Sequence, residues 1–512
     1  MKNHIINSDH ILLLAFLSLT FVLPCRADED TRFLLKGAVK STLIDTLVLH
    51  VWNDIVTYDL IYDELHRTYT IPLHKGAFEI TIDSIADVSI ISLSSGRLNG
   101  LPVTLLDQYY ICAGDRISID INQESLDSRL KIDDNGKPIG KYRLSFAGKG
   151  SEKFNCRYQL DSFHEVLQHQ PLALPPRYVS KWTSDSVYFQ KAERITRAET
   201  DFLEAYKDII EPGVYRTMRA DIIGRNAYVF ILKKLFLAAR TDSDSPMELE
   251  KIKTFVSQSE LLHRMNLESQ HEVYHSAVFT QALVYQARVE EQLYADMRLA
   301  YERLALIKHP RARERALTNY LVHHYVRMPS IEAGKRLNDA LLYITDTNYV
   351  NLVNKLRLTD RGQPIPSFAL YDADDTEIDL RSFIGKVVFV DFFYTGCGNC
   401  ASYFKKTVSK AEEYFKDNRN VVFVTISIDG NKEKWINSVK SGIYTSAHAV
   451  NLYTGGVGER HPIISHFNVS GYPKPLLISG DGSILSTDFH ALGRTEPDRL
   501  IKTIEEALRS IK

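Results

Sequence analysis

The chain is poor in cysteine, with five in 512 residues, which excludes a disulfide-dense scaffold. It carries no excess of either charge: 62 Lys and Arg stand against 64 Asp and Glu, a formal net charge of −2. The basic footprint of a nucleic-acid binder is missing, so no nucleic-acid partner is expected. The 25 Gly and 17 Pro show no collagen-like or Pro-rich bias. No apolar run reaches the roughly 18 residues of a membrane-spanning helix, so the chain is not expected to be an integral membrane protein. What is there is an ordinary globular balance, 44% hydrophobic and 25% charged. The length argues for two to four domains.

The one long apolar stretch is Ile11–Leu23, ILLLAFLSLTFVL. Cys25 and Ala27 behind it suit the −3 and −1 positions of a cut before Asp28. Residues 1–27 therefore read as a secretory signal peptide, and the mature protein is expected in the periplasm or an exported cell-envelope space. Lipid attachment at Cys25 is the less favoured alternative, because Pro24 precedes it.

Residues 28–148 read as an all-β, sandwich-like domain. FEITI at 78–82 and RISIDI at 116–121 alternate apolar and polar residues, the period of a half-buried strand. TLVLHVW and VSIISL add β-branched runs, and HKG, AGD and DNGKP mark turns. Residues 149–355 read as an all-α domain. Val278, Ala282, Tyr285, Val289, Leu293 and Met297 recur on one helix face, a run that Pro310 is expected to close. Residues 356–365 form a linker in which Gly362 and Pro364 favour an extended path.

Residues 366–512 change rhythm and read as an α/β domain. KVVFVDFF at 386–393 and VVFVTISI at 421–428 are continuous apolar runs, as in strands buried on both faces. Phe404, Val408, Ala411 and Phe415 have helical spacing. NKEKWINSV reads as a helix, KPLLIS-GDG-SILSTDF as a hairpin, and residues 497–511 as a final amphipathic helix.

Between the first buried strand and the helix lies Cys397-Gly398-Asn399-Cys400. Two cysteines three residues apart on a first helical turn can close a disulfide with little backbone change. The first lies at the positive end of the helix dipole, which favours thiolate and lowers its pKa. Thiolate is the attacking species in disulfide exchange, so Cys397 is the expected nucleophile and Cys400 the resolving thiol.

DFFYTGCGNC, the GK at 385–386, SIDG at 427–430 and GYPKPLLISGDGSIL at 471–485 resemble a thioredoxin domain of the TlpA/ResA type. The resemblance covers residues 366–512. The β and helical segments before it resemble modules that precede such domains in envelope proteins. It implies a thioredoxin-like fold and a thiol–disulfide oxidoreductase with a Cys397–Cys400 disulfide, needing no metal or organic cofactor. It further implies that Asp391, six residues before Cys397, is a buried acid that helps deprotonate the second cysteine. Pro473 matches a cis-proline beside the disulfide, and Tyr472 would touch a substrate strand. Protein disulfides are the implied substrates, and a membrane electron-transfer partner the implied source of electrons. Gly396, Phe393 and Asn399 depart from the usual residues around such a motif, so the direction of electron flow stays open.

Other readings compete for the same residues. CxxC can be half of a zinc site, but Cys112 and Cys156 lie far along the chain. Cys112 is expected as a buried small hydrophobe and Cys156 in a polar loop, and the two could pair. His271, Glu272 and His275 match HExxH, without a third ligand at a convincing spacing. GGVG at 455–458 lacks the Lys-Ser/Thr of a phosphate loop. Two rival functions remain: a thiol peroxidase of the peroxiredoxin type, and a non-enzymatic envelope binding protein.

Overall fold

Along β2 (Thr46–Trp52), Leu47, Leu49 and Val51 are fully buried and the residues between them half-buried. That period of two puts one strand face into a core. In a computed structural model of the chain the residues described are 31–39, 44–56, 65–95, 104–121, 144–169, 181–241, 245–269, 275–296, 298–325, 328, 330–467, 469 and 471–509. The segment 1–27 with Cys25 lies outside them, as do the DNGKP turn, His271, Glu272, Met297 and Ile511.

Among the described residues, two four-stranded sheets form the N-terminal part. One has the order β4 (Ala77–Ile82), β1 (Phe33–Val39), β7 (Arg116–Ile121), β8 (Leu144–Ala147). The other runs β3 (His66–Pro72), β2, β5 (Ser89–Ser95), β6 (Thr104–Ile111). Phe33, Leu35 and Ile117 of the first share one apolar cluster with Leu47, Leu49 and Leu93 of the second, which makes them a sandwich.

Helix Ser151–His169 inserts Phe154 into that cluster. Its ring centroid lies 5.3 Å from those of Tyr109 and Phe146. Cys156 is on the same helix and fully buried. The expected polar loop is therefore wrong; the helix begins early because its first turns cap the sandwich.

The central region is helical, from Ser151–His169 to Thr347–Leu356. Helix Ala277–Tyr294 is buried nearly all round, including Gln281 and Gln286, so it is a central helix rather than one with a single apolar face. It ends at Ala295, in the left-handed region at φ 49°. Pro310 does not close it. Helix Leu299–Ala305 intervenes, and Pro310 opens the helix Pro310–His324, where its missing N–H costs nothing.

Buried polar contacts join the sandwich to the helices. Arg315, fully buried, pairs with Asp54 at 2.7 Å. Tyr349 also donates to Asp54, and the Asn319 amide donates to the Val56 carbonyl at 2.8 Å. On another side Tyr110 donates to Asp221 at 2.5 Å.

The C-terminal part is a seven-stranded sheet among the described residues. Its order is β10 (Glu377–Ile378), β9 (Leu370–Tyr371), β13 (Val450–Tyr453), β12 (Val421–Ser427), β11 (Val387–Phe393), β14 (Lys474–Ile478), β15 (Ile484–Ser486). β11 is parallel to β12 and antiparallel to β14. Every residue of β11 is buried, as its unbroken apolar run requires. Val388, Val390 and Phe392 face one cluster, while Val387 and Phe389 face another with Tyr403, Leu500 and Ile504. The linker is docked on the last hairpin: the Gly362 amide donates to Ile484 O at 2.8 Å and the Ile365 amide to Gly482 O at 3.0 Å. The chain thus has the expected order of an all-β part, an all-α part and a thioredoxin-like α/β part.

Candidate active site

β11 ends at Phe393, and four residues later Cys397 caps the helix Gly398–Tyr403. The turn needs Gly396, whose φ of +104° is a conformation that side chains oppose. Cys397 and Cys400 form a disulfide with Cα atoms 5.3 Å apart. The Cys397 sulfur accepts from the Cys400 amide at 3.0 Å. Cys397 is 4% exposed and Cys400 1%, so both residues are buried.

Asp391 occupies the odd-numbered face of β11, between Phe389 and Phe393 and on the side of the cysteine helix. It is 2% exposed. Burial pushes its carboxyl group up to about 8, against the pull of hydrogen bonds from the Phe392 and Lys474 amides. Its Oδ1 has no hydrogen-bond partner. Tyr403, one helical turn past Cys400, has its hydroxyl pushed well above its usual range by burial and then by the Asp391 charge. An acid held near neutrality on the strand that leads to the cysteines can exchange a proton within the physiological range.

The Tyr472–Pro473 bond is cis. Tyr472 is half-buried and belongs to the cluster of Phe393, Cys397, Cys400, Trp435 and Tyr453. Its ring meets Tyr394 edge to face at 5.4 Å, and Tyr394 is 40% exposed. Of the expected site residues, Tyr472 packs in one cluster with Cys397 and Cys400, Pro473 follows it through the cis bond, and Asp391 lies on β11 six residues before Cys397.

The structure adds residues for which the sequence assigned no role. Asp429, in the SIDG segment, accepts from the Thr395 amide at 3.1 Å and the Thr395 hydroxyl at 2.7 Å. Tyr444 stacks on Phe393 with centroids 5.6 Å apart, and its oxygen accepts from the Gly396 amide at 2.9 Å. Trp435 stacks on Tyr453 at 4.5 Å. The signal for Asp429 was a buried strand ending in an acid; nothing local marked Tyr444.

The competing motifs do not converge here. Cys112 and Cys156 are unbonded thiols packed in a shared cluster at the sandwich–helix junction, each pushed up to about 12 by burial. His275 precedes its helix rather than lying on it, and burial followed by the Arg315 charge pushes it down to about 4. Among the described residues no group of three His, Cys, Asp or Glu could hold a metal ion, and no helix is long and apolar enough to cross a membrane.

Residues 385–484 match the thioredoxin-like family. Nothing among curated proteins matches. Among solved structures, the thioredoxin domain of a thiol-disulfide oxidoreductase from Bacteroides vulgatus is similar, with 21% identity, 29% of this chain and 96% of that one covered, and a TM-score of 0.25. A thiol:disulfide interchange protein from Bacteroides sp. shares 23% identity over 30% of this chain and 93% of its own, with a TM-score of 0.25. A thioredoxin family protein from Chlorobium tepidum shares 24% over 29% of this chain and 98% of its own, with a TM-score of 0.24. The cysteine-capped helix and the cis bond before Pro473 both lie within residues 385–484, the segment that matches the thioredoxin-like family.

Proposed function

We propose that the protein is an exported thiol–disulfide oxidoreductase that reduces protein disulfides. The observation that carries this reading is the Cys397–Cys400 disulfide at a helix start with an acid raised to about 8 on the adjoining strand. In the reduced protein the Cys397 thiolate attacks a substrate disulfide. One substrate sulfur leaves as thiolate and a mixed disulfide forms. Asp391 as carboxylate takes the Cys400 proton. The Cys400 thiolate then attacks the Cys397 sulfur, and the second substrate sulfur leaves. Two electrons have passed to the substrate, and Cys397–Cys400 is oxidised. Tyr472 and the Pro473 backbone flank the disulfide where a substrate strand would lie. A dithiol reductant, supplied through a membrane electron-transfer partner, restores the cysteines.

A peroxidase reading is weaker, because the Thr395 hydroxyl is committed to Asp429 and not to a cysteine. Catalysis of insulin reduction by dithiothreitol tests the proposal, with hydrogen peroxide consumption as the rival outcome. Export rests on the Ile11–Leu23 run and the Cys25–Ala27 site. N-terminal sequencing of the native protein should find Asp28 first; a cytosolic protein that keeps Met1 would refute export.

A further inference from the structure

The turn between β11 and Cys397 is held from the neighbouring strand by one carboxylate. Asp429 is buried and lies two residues past the end of β12. Its oxygens receive the Thr395 amide at 3.1 and 3.3 Å, the Thr395 hydroxyl at 2.7 Å and the Ser427 hydroxyl at 2.8 Å. Lys434, on helix Lys432–Ser441, pairs with the same carboxylate at 3.1 Å. Thr395 is two residues before Cys397, and Gly396 between them is tied to Tyr444. A buried carboxylate with this many donors is fixed in place. It brings a negative charge to within a few residues of a sulfur that must ionise to react, and Lys434 offsets that charge.

We propose that Asp429 is the positioning residue of Cys397, and that its ion pair with Lys434 sets how readily the Cys397 thiol ionises. The proposal rests on the dithiol reading and names how that same site is tuned. The pair acts in two separable ways. The carboxylate oxygens hold the turn, whichever charge they carry. The two charges act on the developing thiolate with opposite signs, Asp429 against it and Lys434 for it. Lys434 is half exposed, its side chain 52% accessible, so its influence is screened by salt.

The two variants that break the pair therefore differ. Asp429→Asn keeps an acceptor oxygen for Thr395 and Ser427 and leaves the Lys434 cation uncompensated. Lys434→Met removes the cation and leaves the anion. Other titratable groups around the turn are Tyr394 on the turn, Tyr371, Tyr444, Tyr453 and Tyr472 packed about the disulfide, and Asp391 on β11. The Lys432–Asp375 pair and Glu459 lie beyond them. Neither substitution alters these, so the contrast between the variants isolates the ion pair.

The test is the pH dependence of iodoacetamide alkylation at Cys397 in the reduced full chain, read by peptide mass spectrometry at low salt. Circular dichroism and thermal melts run alongside. The midpoint should move down in Asp429→Asn and up in Lys434→Met, each by roughly half a pH unit, and both shifts should shrink in high salt. Two shifts in the same direction, or none, would show that Asp429 is a structural clamp alone. If Asp429→Asn fails to fold, Lys434→Met decides: an upward, salt-sensitive shift supports the proposal, and no shift or a downward one overturns it. Alkylation reads Cys397 whether or not any substrate is turned over, so a failure of insulin reduction stays distinct from a failure here.

Discussion

The Cys400 amide donates to the Cys397 sulfur at 3.0 Å, which places that sulfur at the N-cap of the helix Gly398–Tyr403. The same amide, with the helix dipole, favours negative charge on Cys397 in the reduced protein. Its pKa should fall below the free value of roughly 8.5. Iodoacetamide at neutral pH should modify Cys397 ahead of Cys400. Faster labelling of Cys400 would reverse the two roles.

Asp391 predicts a pH dependence of stability. Its carboxyl group is raised to about 8 in the folded protein, from an ordinary value near 4. Between those values the folded state binds more protons than the unfolded one, so stability falls as pH rises from about 4 to about 8. The full shift corresponds to at most about 5 kcal/mol. Asp391→Asn should flatten that slope and leave stability equal or higher near pH 8. Thermal melts of both proteins across pH 4 to 9 measure it. A wild type that gains stability relative to the variant as pH rises would contradict a raised Asp391.

The same variant should separate the two chemical steps. Stopped-flow reduction of a disulfide substrate should show slower resolution in Asp391→Asn, by roughly ten-fold or more, with initial attack less affected. Unchanged resolution at every pH would make Asp391 a buried structural acid.

Sequence order alone exposed the strand–CxxC–helix unit, because an unbroken apolar run followed by helical spacing has few alternative folds. Asp391, Tyr472 and Pro473 were reached through resemblance; Tyr472 packs in the cluster of the two cysteines, and Asp391 is buried on β11. Asp429 and Tyr444 were not, since each acts across a gap of more than 30 residues from the turn it holds. The helix after Cys400 contains a π turn at Phe404–Val408; the apolar spacing that marked it as a helix carries no sign of that extra residue. Cys156 and Pro310 were misread for different reasons: Cys156 lies on a helix packed on the sandwich, and Pro310 occupies a first helical turn, where proline is tolerated.

The junction of sandwich and helices should be a stability element distinct from the disulfide site. Asp54→Asn leaves the buried Arg315 cation without its charged partner, a loss on the order of 3–5 kcal/mol. The melting temperature of the full chain should drop by several degrees. Alkylation of Cys397 below the transition should be unchanged. An unaltered melt would mean that Arg315 is compensated elsewhere.

A Cys400→Ala variant cannot resolve its mixed disulfide, so it should retain substrate proteins covalently at Cys397. Mass spectrometry of the adducts identifies them, and reduction should release them. Adducts at Cys112 or Cys156 instead would be unexpected, since burial pushes both thiols up to about 12.

The most direct measurement is insulin reduction by dithiothreitol in the presence of the wild-type protein, Cys397→Ala and Cys400→Ala. Wild type should accelerate precipitation of the insulin B chain well above dithiothreitol alone, and both variants should fall to the uncatalysed rate. A wild type no faster than dithiothreitol, or a Cys397→Ala variant that keeps the acceleration, would contradict dithiol exchange at Cys397 and Cys400.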